Sequence, residues 1–352
     1  MGTNDRGFIL ITVLLVIAVL FPLILAFNSK VQLNLIQAEN FRNSVQALRS
    51  ARSGVEGAIG VLKADDTSYD SKRDKWAMNF PNLSVGEGIL AVTIVDEDSK
   101  IPINNLVGVV KDTAGNQSPG STAGQTPAGS AAQTTAQAAG QTQAGKVVND
   151  QVDNDLDTRL RALITRLGGR PEIVDALIDW LDSNNDVTGS EGAEEDYYKQ
   201  KGYHCKNGPL DSLDELLLVK GFDKDLLYTR NLKDYLTIAP TDGKINVNLA
   251  SLQVLQTVLG TKTTALPQPF TDGDLQDLVH YRDEHDLKNV NDMNQAIKIS
   301  QDQSIKAQPL VKVNSAYFTV HSRYTMGRVV KNVDALLKRD SSTVTIVSWR
   351  EY

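Results

Sequence analysis

The sequence is poor in the side chains on which most metal and redox centres depend. Its 352 residues include a single cysteine, Cys205, and only four histidines, His204, His280, His285 and His321. One cysteine excludes an intrachain disulfide framework and any multi-cysteine zinc or iron–sulfur site. The sequence also has neither a phosphate-binding glycine loop nor a Gly-x-Ser-x-Gly nucleophile elbow. These absences favour a structural or binding protein over an enzyme.

Positive charge is also scarce. The chain has 36 Lys and Arg residues against 43 Asp and Glu residues, which gives a formal net charge of −7. Because nucleic-acid phosphates require a basic surface, this balance predicts no nucleic-acid partner. Hydrophobic residues make up 41% and charged residues 22%, an ordinary globular balance that excludes wholesale disorder. The length is typical of two or three structural units.

The longest apolar run, residues 8–27, contains no charged side chain. Twenty residues of α-helix are about 30 Å long, which is the thickness of a bilayer core. A cleavable signal peptide is the alternative, because Ala26 offers a small residue at a possible cleavage position. From residue 28 to about 63, apolar residues recur mostly at helical steps. We therefore expect one long helix, whose first half lies in lipid and whose second half packs on a domain.

Segments that predict β-strands lie on both sides of the central part of the sequence. Residues 83–97 predict one or two strands, and residues 316–323, 328–337 and 343–349 predict three more, because each is rich in β-branched and apolar residues. A four-stranded antiparallel sheet packed on the long helix buries the apolar face of both. The expected fold class is therefore α+β.

The middle of the chain changes composition twice. Residues 111–149 are mostly Ala, Gly, Gln, Thr, Ser and Pro, which predicts a disordered loop. The sequence of residues 150–310 predicts a mainly helical region. Short segments around Gly221 and at residues 245–250 resemble helix-hairpin-helix or SAM-like units. Such units can bind DNA, but acidic residues outnumber Lys220 and Lys224 around that turn. A membrane-anchored helix-hairpin-helix protein for DNA uptake or binding is the alternative function.

An acidic stretch at residues 182–196 carries the clearest chemical signal. It contains no Lys or Arg, and its six carboxylates are Asp182, Asp186, Glu191, Glu194, Glu195 and Asp196. Like charges this close repel unless a cation separates them, and calcium prefers such oxygen ligands. The stretch is not a proper EF-hand, because Val187 stands where the loop needs glycine and Ala193 where it needs glutamate. A different calcium loop and a solvated acidic loop are both open, whereas nothing marks a catalytic carboxylate pair.

The N-terminal region resembles a type IV prepilin. The sequence Arg6-Gly7-Phe8 follows a short polar leader and begins the apolar run. The resemblance implies that a prepilin peptidase cleaves between Gly7 and Phe8 and that Phe8 is then N-methylated. Thr12 occupies the fifth mature position, where most pilins have a glutamate that pairs with the neighbouring subunit's terminal ammonium. A subunit that lacks this glutamate is better suited to a fibre tip than to the body of the fibre.

Several other short sequence segments resemble the K-type minor pseudopilin of type II secretion systems. They are residues 176–182, 192–198, 207–216 and 244–248, with Ser348-Trp349-Arg350-Glu351 near the end. The resemblance implies a pseudopilin fold interrupted by a large α-helical domain. It also implies a subunit that initiates or caps the pseudopilus, together with I-type and J-type minor pseudopilins, for export of folded proteins across the outer membrane. Other pseudopilins would be contacted through the N-terminal helix.

The same resemblance sets expectations for location and for metal binding. It implies a single span of the inner membrane, with the bulk of the chain in the periplasm. Family members bind calcium in the helical domain, and the ligands expected here are Asp182, Asp186, Glu195 and Asp196. The expected organisation is a leader at 1–7, a membrane helix at 8–27, a pseudopilin α/β domain at 28–110 and 311–352, a loop at 111–149 and a helical domain at 150–310.

Overall fold

The computed structural model describes residues 5–78, 80–108, 150–341 and 343–352. The loop expected at 111–149 lies outside the described residues. The chain divides into two compact units. The first comprises residues 1–67, 72–96 and 316–352, and the second comprises residues 68–71 and 97–315.

The first unit begins with one uninterrupted helix, α1, at Asp5–Lys63. Pro22 lies inside the helix and does not end it. The most apolar window of the helix has a mean hydropathy of 3.1, and none of it is buried, so α1 is long and apolar enough to cross a bilayer. Its distal half buries one stripe of residues, Ala47, Ala51, Val55, Ala58, Ile59 and Leu62. The expected single helix with two different halves is therefore observed.

A five-stranded antiparallel sheet accompanies the helix, in the order β1-β2-β7-β8-β9. Its strands are β1 at Phe80–Val85, β2 at Gly88–Asp96, β7 at Tyr317–Met326, β8 at Val329–Arg339 and β9 at Val344–Glu351. The α+β fold class is confirmed, but the expected four strands were one too few. The region expected as one or two strands forms two, because Gly86, with a φ of +58°, allows a tight turn before β2.

Small residues allow α1 to approach the sheet closely. Along β2, Leu90, Val92 and Ile94 are buried at alternate positions, so one face of the strand joins the core. The Ser322 hydroxyl of β7 donates a 2.7 Å hydrogen bond to the Ala51 carbonyl of α1. A Cβ at Gly54 would lie 2.2 Å from that hydroxyl oxygen, so only glycine fits there without rearrangement.

The second unit is mainly helical. Its α-helices are α2 at Asn154–Arg166, α3 at Ile173–Leu181, α4 at Glu195–Lys201, α5 at Leu232–Tyr235, α6 at Leu252–Val258, α7 at Asp272–Glu284, α8 at Met293–Ala296 and α9 at Gln301–Ala307. Two short parallel pairs join β3 at Ile101–Pro102 to β4 at Leu236–Thr237, and β5 at Ile245–Asn246 to β6 at Val311–Lys312. Asp153 caps α2, and Gly168, with a φ of +73°, lies in the turn towards α3.

The boundary between the units differs from the expectation. Residues 97–108 and 311–315 belong to the second unit, whereas the sequence predicts them in the pseudopilin domain at 28–110 and 311–352. The physical reason is burial, because Ile101, Ile103 and Leu106 belong to the core cluster of the second unit. Val311 and Val313 join the same cluster. The chain therefore enters the second unit just after β2 and leaves it just before β7.

Candidate metal centre

The site is built on α3, whose nine residues are all buried. Asp175 and Asp179 are four residues apart and therefore lie on the same face of this helix. Both carboxylates accept hydrogen bonds from backbone N–H groups of the segment that follows α3. A buried helix with two acidic residues thus holds the acidic stretch in place.

Asp175 anchors one part of that segment. Its carboxylate accepts from the backbone N–H groups of Ser190, at 3.0 Å, and Glu191, at 3.2 Å, and it pairs with Arg161 at 2.6 Å. Burial raises the pKa of Asp175, but Arg161 and the two N–H groups outweigh it, and the pKa is lowered overall. Asp175 is therefore ionised and fully engaged by the protein.

Asp179 anchors the other part. Its oxygens accept from the backbone N–H groups of Thr188, at 2.9 Å, and Ala193, at 2.7 Å. Burial nevertheless raises its pKa overall. The segment can approach this closely because of its glycines: a Cβ at Gly192 would lie 2.5 Å from Asp179 Oδ2, and one at Gly189 would lie 2.2 Å from Asp175 Oδ2.

Three buried carboxylates converge beside this anchor. Asp179, Asp182 and Glu194 each place a carboxylate oxygen within 4.8 Å of the others. Among the described residues, Asp182 Oδ1 and both carboxylate oxygens of Glu194 have no hydrogen-bond partner. Buried polar atoms without partners are rare in folded proteins, and three on one cluster are the pattern expected of a site that can accept a cation.

The electrostatics of the cluster agree with that interpretation. Burial, reinforced by the charges of Asp179 and Asp150, raises the pKa of Asp182 to about 7. Burial, reinforced by Asp179 and Asp182, raises the pKa of Glu194 to about 7. Without a cation, the three groups therefore resist simultaneous ionisation at neutral pH. A divalent cation would remove that repulsion.

The donor set favours a hard cation over zinc. The three converging groups offer only oxygen, which suits calcium or magnesium better than a thiophilic metal. Burial raises the pKa of the neighbouring Cys205 thiol to about 12, so that it stays protonated and is a poor metal ligand. A cavity of about 390 Å³ opens onto Glu194 and provides room for water or a further ligand. The residues present therefore fit a calcium ion.

The structure brings one of the four expected calcium ligands to this cluster, Asp182. Asp186 is exposed, and its backbone N–H donates to Asn184 Oδ1. Glu195 instead accepts from the ring of His204, at 2.6 Å, and from the Cys205 N–H; the His204 bond is the main reason that its pKa falls to about 2. Asp196 is exposed in the first turn of α4. These three predicted ligands therefore lie outside the buried cluster, whose other two members are Asp179 and Glu194.

The sequence contains a signal for Asp179, one of the two cluster residues outside the predicted set. Asp179 precedes Asp182 by three positions, which places the two carboxylates on the same side of a helix end. Glu194 stands among Glu191, Glu195 and Asp196, and only the hydrogen bonds of the folded segment distinguish it from them. Burial separates Asp182 and Glu194 from the other carboxylates of the acidic stretch, and composition does not reveal it.

The expected processing site lies at the start of α1. Gly7 and Phe8 are both helical, and the Phe8 side chain is 72% exposed. The Thr12 hydroxyl donates a 2.6 Å hydrogen bond to the Phe8 carbonyl, within the same helix turn. Thr12 therefore satisfies its polar group locally and presents no charge in the apolar segment.

Comparisons with known proteins point to one family. Residues 100–241 match the family model of the type II secretion system (T2SS) protein K. The type II secretion system protein K of Pseudomonas aeruginosa is 27% identical over 270 residues, which cover 72% of this chain and 68% of that protein. A chain in the crystal structure of the GspK-GspI-GspJ complex from the enterotoxigenic Escherichia coli type 2 secretion system matches with a TM-score of 0.64. It shares 16% sequence identity, and the match covers 90% of this chain and 99% of that chain.

Proposed function

Because the chain belongs to the protein K family of type II secretion systems and is a minor pseudopilin, we propose that it occupies the tip of the pseudopilus and initiates its assembly. The observation that carries this proposal is the combination, in one chain, of a pilin-like first unit and an inserted helical unit larger than it. A subunit in the body of a fibre must be followed by another, and the inserted unit makes such stacking sterically awkward.

Residues of α1 supply the means of assembly. The apolar segment anchors the chain in a membrane before the chain joins the fibre. We propose that this membrane is the inner membrane and that both units lie in the periplasm. The middle of the helix leaves Leu33, Ile36 and Phe41 exposed. These side chains lie outside both the apolar run and the sheet-covered stripe, so they are available to pack against helices of neighbouring subunits.

We assign the partners by the same reasoning. Thr12 lacks the carboxylate that would pair with the terminal ammonium of a neighbouring subunit, so this chain begins a stack instead of extending one. The solved relative is a GspK-GspI-GspJ complex. We therefore propose the I-type and J-type minor pseudopilins as direct partners and a prepilin peptidase as the processing enzyme. The role is mechanical, with no catalytic step.

The tip role is tested in the native host. A strain that lacks this gene is complemented with the full chain, and export of its secreted folded proteins is measured together with co-purification of I-type and J-type minor pseudopilins. We expect the deletion to abolish export and the full chain to restore it and to recover both partners. Normal export in the deletion strain, or absence of both partners from the purified chain, would overturn the proposal.

We also propose that Asp179, Asp182 and Glu194 hold a calcium ion. Bound there, calcium would supply positive charge to three carboxylates that otherwise repel, and it would fix the segment between α3 and α4. Helix α3 carries Asp179, and Asp182 is the first residue after that helix, whereas Glu194 directly precedes α4. The ends of the two helices therefore position the three carboxylates. The effect is structural and rigidifies the second unit.

The calcium assignment has a matched control within the acidic stretch. We expect Asp182→Asn and Glu194→Gln each to weaken calcium binding by the full chain in detergent, measured by calorimetry, at least about tenfold. Asp186→Asn removes an equal charge from an exposed position outside the cluster and should leave affinity within about threefold. Equal losses in all three variants would show that calcium binds the stretch diffusely and would contradict the cluster assignment.

A further inference from the structure

Arg159 occupies an unusual position in α2. The residue is only 6% exposed. Buried arginines are normally paired, because a buried charge without a partner is costly. Yet among the described residues Arg159 Nε and Nη2 are both buried and have no hydrogen-bond partner. Two buried N–H donor groups of the guanidinium therefore lack a hydrogen-bond acceptor.

The two unpartnered nitrogens form one edge of the guanidinium group. Their N–H bonds point in nearly the same direction, which is the geometry that matches the two oxygens of a carboxylate. A single planar anion could satisfy both donors at once. A water molecule could accept from both donors only with poorer geometry, and it would supply no negative charge.

The nearby acidic side chains are engaged elsewhere. Asp153 caps α2 by accepting from the backbone N–H groups of Asp155 and Leu156. Asp155 accepts from the backbone N–H groups of Thr264 and Ala265, both at 2.9 Å. Their charges favour the ionised arginine, although burial lowers its pKa overall. Neither carboxylate is hydrogen-bonded to the Arg159 edge.

Arg159 lines a cavity of about 380 Å³ in the second unit. This volume is within the range of small-molecule sites. Much of the remaining lining is apolar, contributed by Ile101, Pro102, Leu156, Ile245, Val258 and Pro309. A buried cation at an apolar cavity selects a ligand with one charged end and a small apolar body.

The charge of the lining restricts the ligand further. Asp153 and Asp242 also line the cavity, and Asp242 pairs with Lys312 at 2.9 Å. Lys244 is exposed at the same cavity. The formal charges of Arg159 and Lys244 are thus opposed by two carboxylates, which disfavours a dianion such as phosphate and tolerates a monoanion.

We propose that this cavity binds a monocarboxylate with a small apolar group, and that Arg159 Nε and Nη2 donate to its two oxygens. Two sources share this chemistry. One is a free short-chain acid, and the other is the C-terminal carboxylate of a polypeptide that ends in an apolar residue. In both cases the carboxylate satisfies the buried guanidinium, and the apolar group fills the cavity.

The test uses the full chain in detergent and a buffer without carboxylates. The probes are isovalerate, for a free acid, and N-acetyl-leucine, for a C-terminus; N-acetyl-leucinamide and inorganic phosphate serve as matched comparisons. Binding is followed by saturation-transfer NMR and by the shift in melting temperature. We expect at least one carboxylate to bind with saturation below about 10 mM and N-acetyl-leucinamide to bind at least about tenfold more weakly.

The pattern of affinities distinguishes the two sources. Tighter binding of N-acetyl-leucine supports a polypeptide C-terminus, whereas tighter binding of isovalerate supports a free acid. The proposal is overturned if neither acid binds, if the amide binds as well as the acid, or if phosphate competes as effectively as the carboxylates. These comparisons change only the ligand and do not depend on any variant folding.

Variants locate the site. Arg159→Gln should weaken carboxylate binding at least about tenfold, whereas Arg166→Gln, in the last turn of the same helix, should leave it within about threefold. Val258→Phe keeps Arg159 but fills the cavity, and it should also abolish binding. Retention of binding by both Arg159→Gln and Val258→Phe would place the carboxylate elsewhere and reject the assignment.

Discussion

Asp182 and Glu194 make the second unit sensitive to pH when no cation is bound. Both carboxylates are buried, and both have pKa values raised to about 7. In the unfolded chain, ordinary carboxyl pKa values near 4 apply. The folded state therefore binds more protons than the unfolded state between about pH 4 and 7, so its free energy of unfolding falls as pH rises through that window.

The prediction is a calcium-dependent reversal of this pH profile. In EDTA, the full chain in detergent should lose unfolding free energy between about pH 4 and 7, by up to about 1.4 kcal/mol per pH unit for each of these two groups. With saturating calcium, both carboxylates are ionised in the folded state, and the added stability should grow with pH. Denaturant unfolding at several pH values measures both profiles.

Glu194→Gln provides the control for that experiment. The variant removes one of the two titrating groups, so its profile in EDTA should be flatter than that of the unmodified chain. The interpretation fails if the profiles with EDTA and with calcium are parallel, because the buried carboxylates would then not be the groups that exchange protons for the ion.

At the residue level, composition locates the acidic stretch but does not show which of its carboxylates converge in the folded chain. The acidic stretch stands out because six carboxylates occur in it without a Lys or Arg, and Asp182 is one of the residues predicted within it. Asp179 is not predicted in this group because it lies inside an apolar helix, and Glu195 is predicted in place of Glu194 because the sequence does not show which carboxylate is buried. The hydrogen bond of Glu195 to His204 is a tertiary contact, which local pattern cannot reveal.

At the level of elements, the contact of α1 with the sheet depends on glycine at one position. A Cβ at Gly54 would lie 2.2 Å from Ser322 Oγ and 3.0 Å from Val92 Cγ2. Ser322 cannot move away freely, because its hydroxyl is hydrogen-bonded to Ala51. Gly57, on the same helix three residues later, has open space at the equivalent position.

Gly54→Ala and Gly57→Ala therefore form a matched pair. Alanine gains about 0.5–1 kcal/mol over glycine inside a helix, so Gly57→Ala should stabilise the first unit by that amount. Gly54→Ala should instead destabilise it by about 1–3 kcal/mol, because the new methyl group overpacks the interface. Denaturant unfolding of both variants tests this, and equal effects would show that helix and sheet do not pack as described.

The elements with strong periodicity were those that the sequence predicted well. The long helix and the last three strands were found within a few residues, because their apolar patterns extend over many positions. The strand count was too low because the turn at Gly86 and Glu87 interrupts the pattern only briefly. Short elements such as β3 and β5 were missed, since two residues carry no periodicity.

At the scale of the whole molecule, the N-terminal segment gives a prediction about processing. We predict that the protein purified from membranes of its own host begins at N-methylated Phe8, because Arg6-Gly7-Phe8 resembles a prepilin site. Intact-mass spectrometry measures this directly. Gly7→Val should remain uncut, whereas Gly2→Val, also within the leader, should be processed normally. An intact Met1, or a chain that begins after Ala26, would contradict the prediction.

The two-unit organisation was predicted in outline, with errors at the boundaries. The low-complexity composition and the change from strand to helix periodicity marked an insertion. The boundary itself depends on which core Ile101 and Val311 enter, and apolar residues at a junction look the same whichever core they join. Only the tertiary contacts show which of the two cores each of these residues joins.

The ends of the inserted segment have a consequence for the order of folding. Lys312 and Asp98 are separated by 214 residues, yet they meet at 2.7 Å within the second unit. Joining β2 to β7 in an unstructured chain would require closing a loop of that size, at an entropic cost of about 5 kcal/mol. Once the second unit has folded, its two ends are already adjacent, and the remaining loop is only a few residues long. We therefore expect the insertion to fold first and the sheet to close last, once the C-terminal strands are available to pair with β2.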